Sequence, residues 1–217
     1  MLIHRWDAAA APDEWRSWLA TTAPFGQLVV NNLDRDEAPI VVPTHAALEG
    51  DLLLVHLARP NPAWPHIEAA RRVKFVLSDN DAYVPSTWRA NPDAPSETGV
   101  PTSYYAAVQF TCIPRVIDDP EAKAELLRVQ MRHIQPEGGH AEIAVGVAPY
   151  GGMLPGIRGL ELPILEIAAK FKYDDQKPAE YRERVAHLLE QRDRPHDAGA
   201  AQQQRRRLAL VDQRRSS

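Results

Sequence analysis

A histidine stands inside an apolar run at Leu52-Leu53-Leu54-Val55-His56-Leu57-Ala58, and Arg59-Pro60-Asn61-Pro62-Ala63-Trp64 follows directly. In an extended strand His56 shares a face with Leu52 and Leu54, while Leu53, Val55 and Leu57 point the other way. Both faces are apolar, so the strand is expected to be buried on both sides. A buried imidazole needs a hydrogen-bond partner or a metal. Neutral imidazole is a common iron ligand, and a haem needs an apolar wall around it. A core histidine bonded to a backbone carbonyl meets the same constraints. Asn61-Pro62 is a helix-start signal, with Asn as N-cap and Pro at the first helical position. Free N–H groups there, together with Arg59, would suit a flavin phosphate, a haem propionate or a substrate carboxylate.

Other groups with chemistry to offer are more scattered. His45 lies on the preceding strand, where it could approach His56 across a sheet. Tyr83, Trp88, Tyr104 and Tyr105 bracket a long polar loop and could wall a planar ring, or simply pack. Lys170 and Lys172 share one face of a late strand. The signatures GxGxxG, Walker A, HExxH and GxSxG are all missing, so a nucleophile triad has no support. A bound cofactor is expected to carry any hard chemistry.

The elements that must position these residues can be read from periodicity. Residues 12–21 form a first helix, with Trp15, Trp18 and Leu19 on one face. Strands follow at 27–33, 39–48 and 51–58, the last two joined by a hairpin at Glu49-Gly50-Asp51. A helix runs from Asn61 to about residue 72, and 73–78 is strand again. Residues 85–103 are a Pro-rich loop of a length that is usually functional or mobile. Residues 104–117 alternate as one long strand. Asp119-Pro120 opens a helix to about residue 134, with Ala122, Leu126, Val129 and His133 on its inner stripe. An irregular segment, 135–158, precedes a strand at 160–173 that is interrupted at Pro163. A last helix spans about 178–192. Strands dominate and helices punctuate, which predicts a mainly β fold, an antiparallel barrel with peripheral helices. The expected organisation is one domain over 1–195 and a disordered basic tail over 196–217.

Composition sets the outer bounds. The chain has 217 residues, 44% of them apolar and 25% charged, as in ordinary globular proteins. Cys112 is the only cysteine, so neither an intrachain disulfide nor a thiolate metal cage can form. No run reaches the length of a membrane span, and the start lacks a secretory pattern. A cytoplasmic location is the expectation. The formal charge is −4, yet from Gln202 onward five arginines face Asp212 alone, a local +4 that leaves −8 for the rest. An acidic body argues against a nucleic-acid surface.

Three ordered motifs make the sequence resemble the PaiB-like family of FMN-binding regulators over about residues 25–180. They are Thr44-His45 with His56-Leu57-Ala58-Arg59-Pro60-Asn61-Pro62-Ala63-Trp64; Asp81-Ala82-Tyr83 with Trp88; and Val100-Pro101-Thr102-Ser103-Tyr104-Tyr105. The chain departs from the family at Ser103-Tyr104, where Trp-Asn is usual. It departs again at Lys170-Phe171-Lys172-Tyr173-Asp174-Asp175-Gln176-Lys177, in place of Lys-Trp-Lys-Leu-Ser-Gln-Asn-Arg, and in its opening residues. The resemblance implies a split antiparallel β-barrel, usually a homodimer, with a planar cofactor near the subunit interface. The sequence also resembles a second branch, the haem-dependent piperazate synthases, which close N5-hydroxy-L-ornithine into a ring by forming an N–N bond. That branch implies haem b, with His56 as iron ligand and His45, Arg59, Asn61 and Trp88 around the cofactor. Tyr104, Tyr105 or Lys170 would be the proton donor. The regulator branch implies FMN, and a flavin-dependent oxidoreductase is a third reading.

Overall fold

The computed structural model describes residues 1–22, 25–91 and 94–215. Its contacts divide the chain into two compact units. One unit comprises Met1–Thr22, Ser78–Val108 and Ala168–Ser217, and the other Ala23–Leu77 and Gln109–Ile167. They are called the terminal unit and the central unit below.

In chain order the elements are α1 (Glu14–Leu19), β1 (Phe25–Val30), β2 (Ile40–His45), β3 (Ala47–Glu49), β4 (Leu52–Ala58), α2 (Trp64–Ala69), β5 (Val73–Val84) and α3 (Ser86–Arg89). There follow β6 (Thr102–Cys112), β7 (Arg115–Ile117), α4 (Pro120–Ile134), α5 (Tyr150–Met153), β8 (Ile157–Lys172), α6 (Ala179–Arg192) and α7 (Asp197–Arg215). The strands are ordered β2-β1-β5-β6-β8-β4-β3, with β7 also paired to β8. The pairs β1–β2, β1–β5, β3–β4, β4–β8 and β7–β8 are all antiparallel. The expected fold class, antiparallel β with peripheral helices, is the one observed. Among the described residues no helix is long and apolar enough to cross a membrane.

In the central unit, alternation along β1, β4 and β5 buries Leu28, Val30, Leu53, Val55 and Phe75. Both β4 faces carry leucines, so a second layer must cover the face bearing Leu52 and Leu54. Helix α4 supplies it: Leu54, Ala47, Leu126 and Val129 form one buried cluster, with Leu52 and Ile117 against it. Asp119 caps α4 by accepting from Ala122 N at 2.9 Å, and Pro120 occupies its first turn. The buried stripe of α4 runs through Lys123, Ala124, Leu126, Val129 and Gln130. His133, expected on that stripe, is exposed instead.

Several boundaries differ from the sequence reading. α2 begins at Trp64, not Asn61, because the Asn61 side chain closes a turn on Ala63 N at 2.9 Å before the helix starts. The expected strand 104–117 is two, broken around Ile113-Pro114, where Ile113 N bonds Pro163 O at 3.2 Å. β8 runs unbroken through Pro163, which pairs with Leu52 at the end of the β4 ladder. Two short helical turns, Ser86–Arg89 and Ser96–Thr98, lie in the expected loop. Residues 92 and 93 of that loop and 216 and 217 of the expected tail lie outside the described residues.

The largest correction is at the C-terminus. Residues 196–217 were expected to be a disordered basic tail, yet α7 is a 19-residue helix over Asp197–Arg215. The terminal unit is built around it. Arg207 is 2% exposed and reaches Glu14 on α1 at 2.5 Å, Asp175 at 2.7 Å and the carbonyl of Ala8 at 2.9 Å. A charge that would be solvated in a loose tail is therefore neutralised by carboxylates from distant parts of the chain.

Candidate cofactor site

β4 holds His56 between two ladders. On one side His56 pairs with Gly159 of β8, and Gly159 pairs in turn with Ile117 of β7. A Cβ on Gly159 would lie 2.9 Å from Leu126 Cδ1 and 3.1 Å from Ile117 Cβ. A side chain there would force Leu126 to shift, and its absence lets α4 approach the strand beside His56. The ring is half-buried rather than sealed between two apolar layers.

Its anchor is a side chain the sequence reading did not single out. His56 Nδ1 lies 2.6 Å from Gln130 Oε1 on α4, and Gln130 Nε2 donates to Leu54 O at 3.0 Å. Gln130 is 2% exposed. An amide whose nitrogen is bound to a carbonyl must turn its oxygen toward the ring, and oxygen can only accept. Nδ1 therefore carries the hydrogen, and the neutral ring keeps its lone pair on Nε2. No protein group among the described residues bonds Nε2. The sequence did hold a signal for Gln130: it lies four residues after Leu126, on the same helical face.

The other expected cofactor residues are placed as follows. His45 ends β2, is exposed, and meets Phe25 edge-on at 4.7 Å. His45 pairs with Phe25 in the β1–β2 ladder, and the β3–β4 ladder begins at Ala47, paired with Leu54. Arg59 donates from Nε to Pro155 O at 2.7 Å and from Nη2 to Asp118 at 3.0 Å. Asp118 also takes a bidentate grip from Arg158. Those Arg158 hydrogen bonds, then Arg59, hold its carboxyl below the ordinary carboxylate range. Beside them the buried Lys123 donates to Leu154 O at 2.7 Å and Ile157 O at 3.2 Å, and burial lowers its pKa. Arg59 and Lys123 together clasp the carbonyls of the segment leading into β8. Arg59 thus has protein partners where an anion was expected, and Asn61 closes a turn.

In the terminal unit, alternation along β6 sends Tyr104 and Tyr105 to opposite faces. Tyr104 is fully buried, donates to Asp174 at 3.0 Å and accepts from Gln204 at 3.1 Å. Burial first, then Asp174, pushes its hydroxyl far above the ordinary phenol range. Tyr105 is half-buried, with Lys170 Nζ 5.5 Å and Lys172 Nζ 5.7 Å from its ring centre. Lys170 is 8% exposed, donates to Leu2 O at 3.0 Å and lies 3.7 Å from Asp7. Burial raises the Asp7 pKa against the pull of Lys170. Lys172 donates to Thr102 Oγ1 at 2.8 Å. The structure thus brings Tyr105 and Lys170 together and separates Tyr104 from them. Trp88, half-buried, lies under the Arg192 guanidinium at 4.9 Å.

A groove of about 980 Å³ in the central unit lies away from His56, lined by Arg35, His66, Arg71 and Arg72 among others. Among the described residues no three His, Cys, Asp or Glu side chains gather as a metal cage. A metal held here would need most of its ligands from a prosthetic group. The half-exposed ring with its free Nε2, beside the Leu54, Leu126 and Val129 wall, fits a haem iron on that count.

Comparison with known proteins agrees with this architecture. The flavocytochrome Anf3 from Azotobacter vinelandii aligns with a TM-score of 0.60 at 20% identity, covering 78% of this chain and 72% of that one. The FAD and haem binding protein from Mycobacterium smegmatis aligns with a TM-score of 0.57 at 16% identity, covering 80% and 77%. A protein from Bacteroides thetaiotaomicron VPI-5482, described as a 5-nitroimidazole antibiotic resistance protein, aligns with a TM-score of 0.55 at 16% identity, covering 74% and 84%. At these identities the likeness is one of fold, the split barrel. No curated protein matches the sequence. The family model described as "Putative FMN-binding domain" matches residues 1–166, and the chain belongs to that family.

Proposed function

We propose that the protein is a haem-dependent cyclase that closes N5-hydroxy-L-ornithine to a six-membered ring, as the piperazate synthases it resembles do. One observation carries the choice of haem: Gln130 Oε1 engages His56 Nδ1, so that in the neutral ring Nε2 is the acceptor, and no protein group among the described residues bonds it. A flavin has no need of such a nitrogen. Two structural neighbours, described as a flavocytochrome and an FAD and haem binding protein, support this reading.

The reaction balances without a redox partner. The α-amine forms an N–N bond, the N–O bond breaks, and one proton taken up by the departing hydroxyl equals the one the amine gives up, so water leaves. A bound haem would supply Lewis acidity toward the hydroxylamine. The chain must keep water out and hold the substrate curled so that its two nitrogens meet. It must also hold a proton. The resemblance gives that task to Lys170 or Tyr105, which lie together in the terminal unit. Tyr104 does not suit it, since its hydroxyl is sealed between Asp174 and Gln204.

A second copy of the chain is part of this reading. Phe25, Val41, Leu165 and Ile167 of the central unit leave apolar side chains 39–53% exposed on strands β1, β2 and β8, the kind of surface an obligate homodimer covers. The second functional reading is an FMN-binding protein, a PaiB-type regulator or a flavin-dependent oxidoreductase, and the family match supports its FMN.

The test is an absorption spectrum after separate titrations with haemin and FMN, then turnover of the hydroxylated ornithine. A Soret band at one haem per chain, lost in His56→Ala, supports the proposal. Tight FMN binding with no Soret band refutes it in favour of the second reading. Haem binding without cyclisation would leave the cofactor assignment and remove the substrate.

A further inference from the structure

We propose that Gln130 is a positioning residue for His56: its amide, pinned to the Leu54 carbonyl, dictates which ring nitrogen offers the lone pair. The claim about the tautomer stands without any cofactor. Its consequence for iron rests on the haem reading above.

The geometry is a closed relay. His56 and Leu54 are two residues apart on one strand, and Gln130 reaches down from α4 to touch both, Oε1 to Nδ1 at 2.6 Å and Nε2 to Leu54 O at 3.0 Å. With the amide reversed, its oxygen would face the Leu54 carbonyl oxygen in a site closed to water. Two buried acceptors would then oppose each other, which the low local dielectric penalises heavily. The relay therefore has one stable sense. A histidine ring free in water carries its proton mainly on Nε2, so Gln130 inverts the default and presents Nε2 as the acceptor. The nitrogen not held by Gln130 is then the one without a hydrogen, as any metal ligand requires.

The choice of an amide in place of a carboxylate has an electronic consequence. A carboxylate at Nδ1 draws the proton toward itself and gives the ring imidazolate character, which favours ferric iron. A neutral amide oxygen draws it less. Gln130 thus suits a cofactor used as a Lewis acid better than one used to cleave dioxygen.

The experiment reads the ring directly. In cofactor-free protein with ¹⁵N-labelled histidine, the His56 signal, identified by its loss in His56→Ala, reports the tautomer of the neutral ring. Wild type is expected to show hydrogen on Nδ1. Gln130→Leu is expected to move it mainly to Nε2, and Gln130→Glu at pH 8 to restore it to Nδ1. In haem-loaded protein, Gln130→Leu should weaken haem affinity at least tenfold, the usual effect of losing an outer-shell partner. Gln130→Glu should favour ferric over ferrous haem about tenfold, a 59 mV fall in potential for one electron. Hydrogen on Nε2 in wild type, or a tautomer indifferent to Gln130→Leu, overturns the inference. Should the leucine variant not fold, a potential unchanged in Gln130→Glu overturns it equally. A wild-type ring protonated on Nδ1 that binds no haem upholds the positioning role and refutes the haem reading alone.

Discussion

Replacing Arg207 by Met tests whether the C-terminal helix is part of the folded unit. The guanidinium is 2% exposed and its Nη1 lies 2.5 Å from Glu14, which is 1% exposed. It also pairs with Asp175 and donates to the carbonyls of Ala8 at 2.9 Å and Trp6 at 3.3 Å. Removing one member of a buried ion pair costs about 3–5 kcal/mol, because the other charge is left in a poor solvent. Two features pull the figure down here. Glu14 keeps Arg206 at 2.8 Å, and Asp175 keeps Arg182 at 2.8 Å. Met also refills much of the volume. A loss of about 3 kcal/mol is expected, which for a chain of this size lowers Tm by about 6–12 °C. Urea unfolding followed by circular dichroism reads it as a lower midpoint at constant m-value. In an Asp175→Asn background the same substitution should cost about 1 kcal/mol less, since one of its two carboxylates has lost its charge. A loss under about 1 kcal/mol in the single variant would refute the reasoning, and α7 would then be a helix resting on the surface and not a structural member.

Tyr104→Phe should cost about 1–2 kcal/mol by removing the hydroxyl that bridges Asp174 and Gln204, while Tyr105→Phe should leave the urea midpoint nearly unchanged; equal losses would contradict the opposite placement of the two rings. Gly159→Ala drives a methyl to within 2.9 Å of Leu126 and should destabilise by about 1–3 kcal/mol, and a neutral result in the same melt would show that α4 can move away from β4. Burial pushes the Cys112 thiol up to about 12, so native protein should resist iodoacetamide at pH 8 and react only when unfolded. The linkage has a definite sign. A raised acid pKa gives stability that is whole below the unfolded value of 9.0 and is lost as pH rises toward 12, so a Cys112→Ala variant should lose less stability than wild type between pH 9 and pH 11.

What was legible in the sequence shares one property: the signal and the structure it specifies lie close together in the chain. Asp119-Pro120 announces α4 and does cap it, and the apolar face read at Tyr104, Ala106, Val108, Phe110 and Cys112 is fully buried in β6. The three motifs named the family from residues grouped along the chain. What was not legible depends on partners far away. The run Gln202-Gln203-Gln204-Arg205-Arg206-Arg207 reads as solvated because apolar periodicity is the signal for a packed helix, and here the buried groups are polar. Gln203, Gln204 and Arg207 are each 1–2% exposed, and the Glu14 that neutralises Arg207 lies 193 residues away. The same limit governs the candidate site. His56 was conspicuous as a lone ring among leucines, but its chemistry is set by Gln130, 74 residues on, whose only trace was its place four residues after Leu126 on the buried face of α4. Arg59 shows the converse. Beside a helix-start signal it read as an anion grip, and it binds carbonyls and Asp118, which sequence proximity could not reveal. A polar residue in an apolar pattern is thus a marker of a distant partner, and the partner, more than the residue, decides what the pair can do. For His56 that partner engages Nδ1 and leaves Nε2 as the nitrogen without a bond to any described protein group, which is why the ring, and not the arginine beside it, carries the functional proposal.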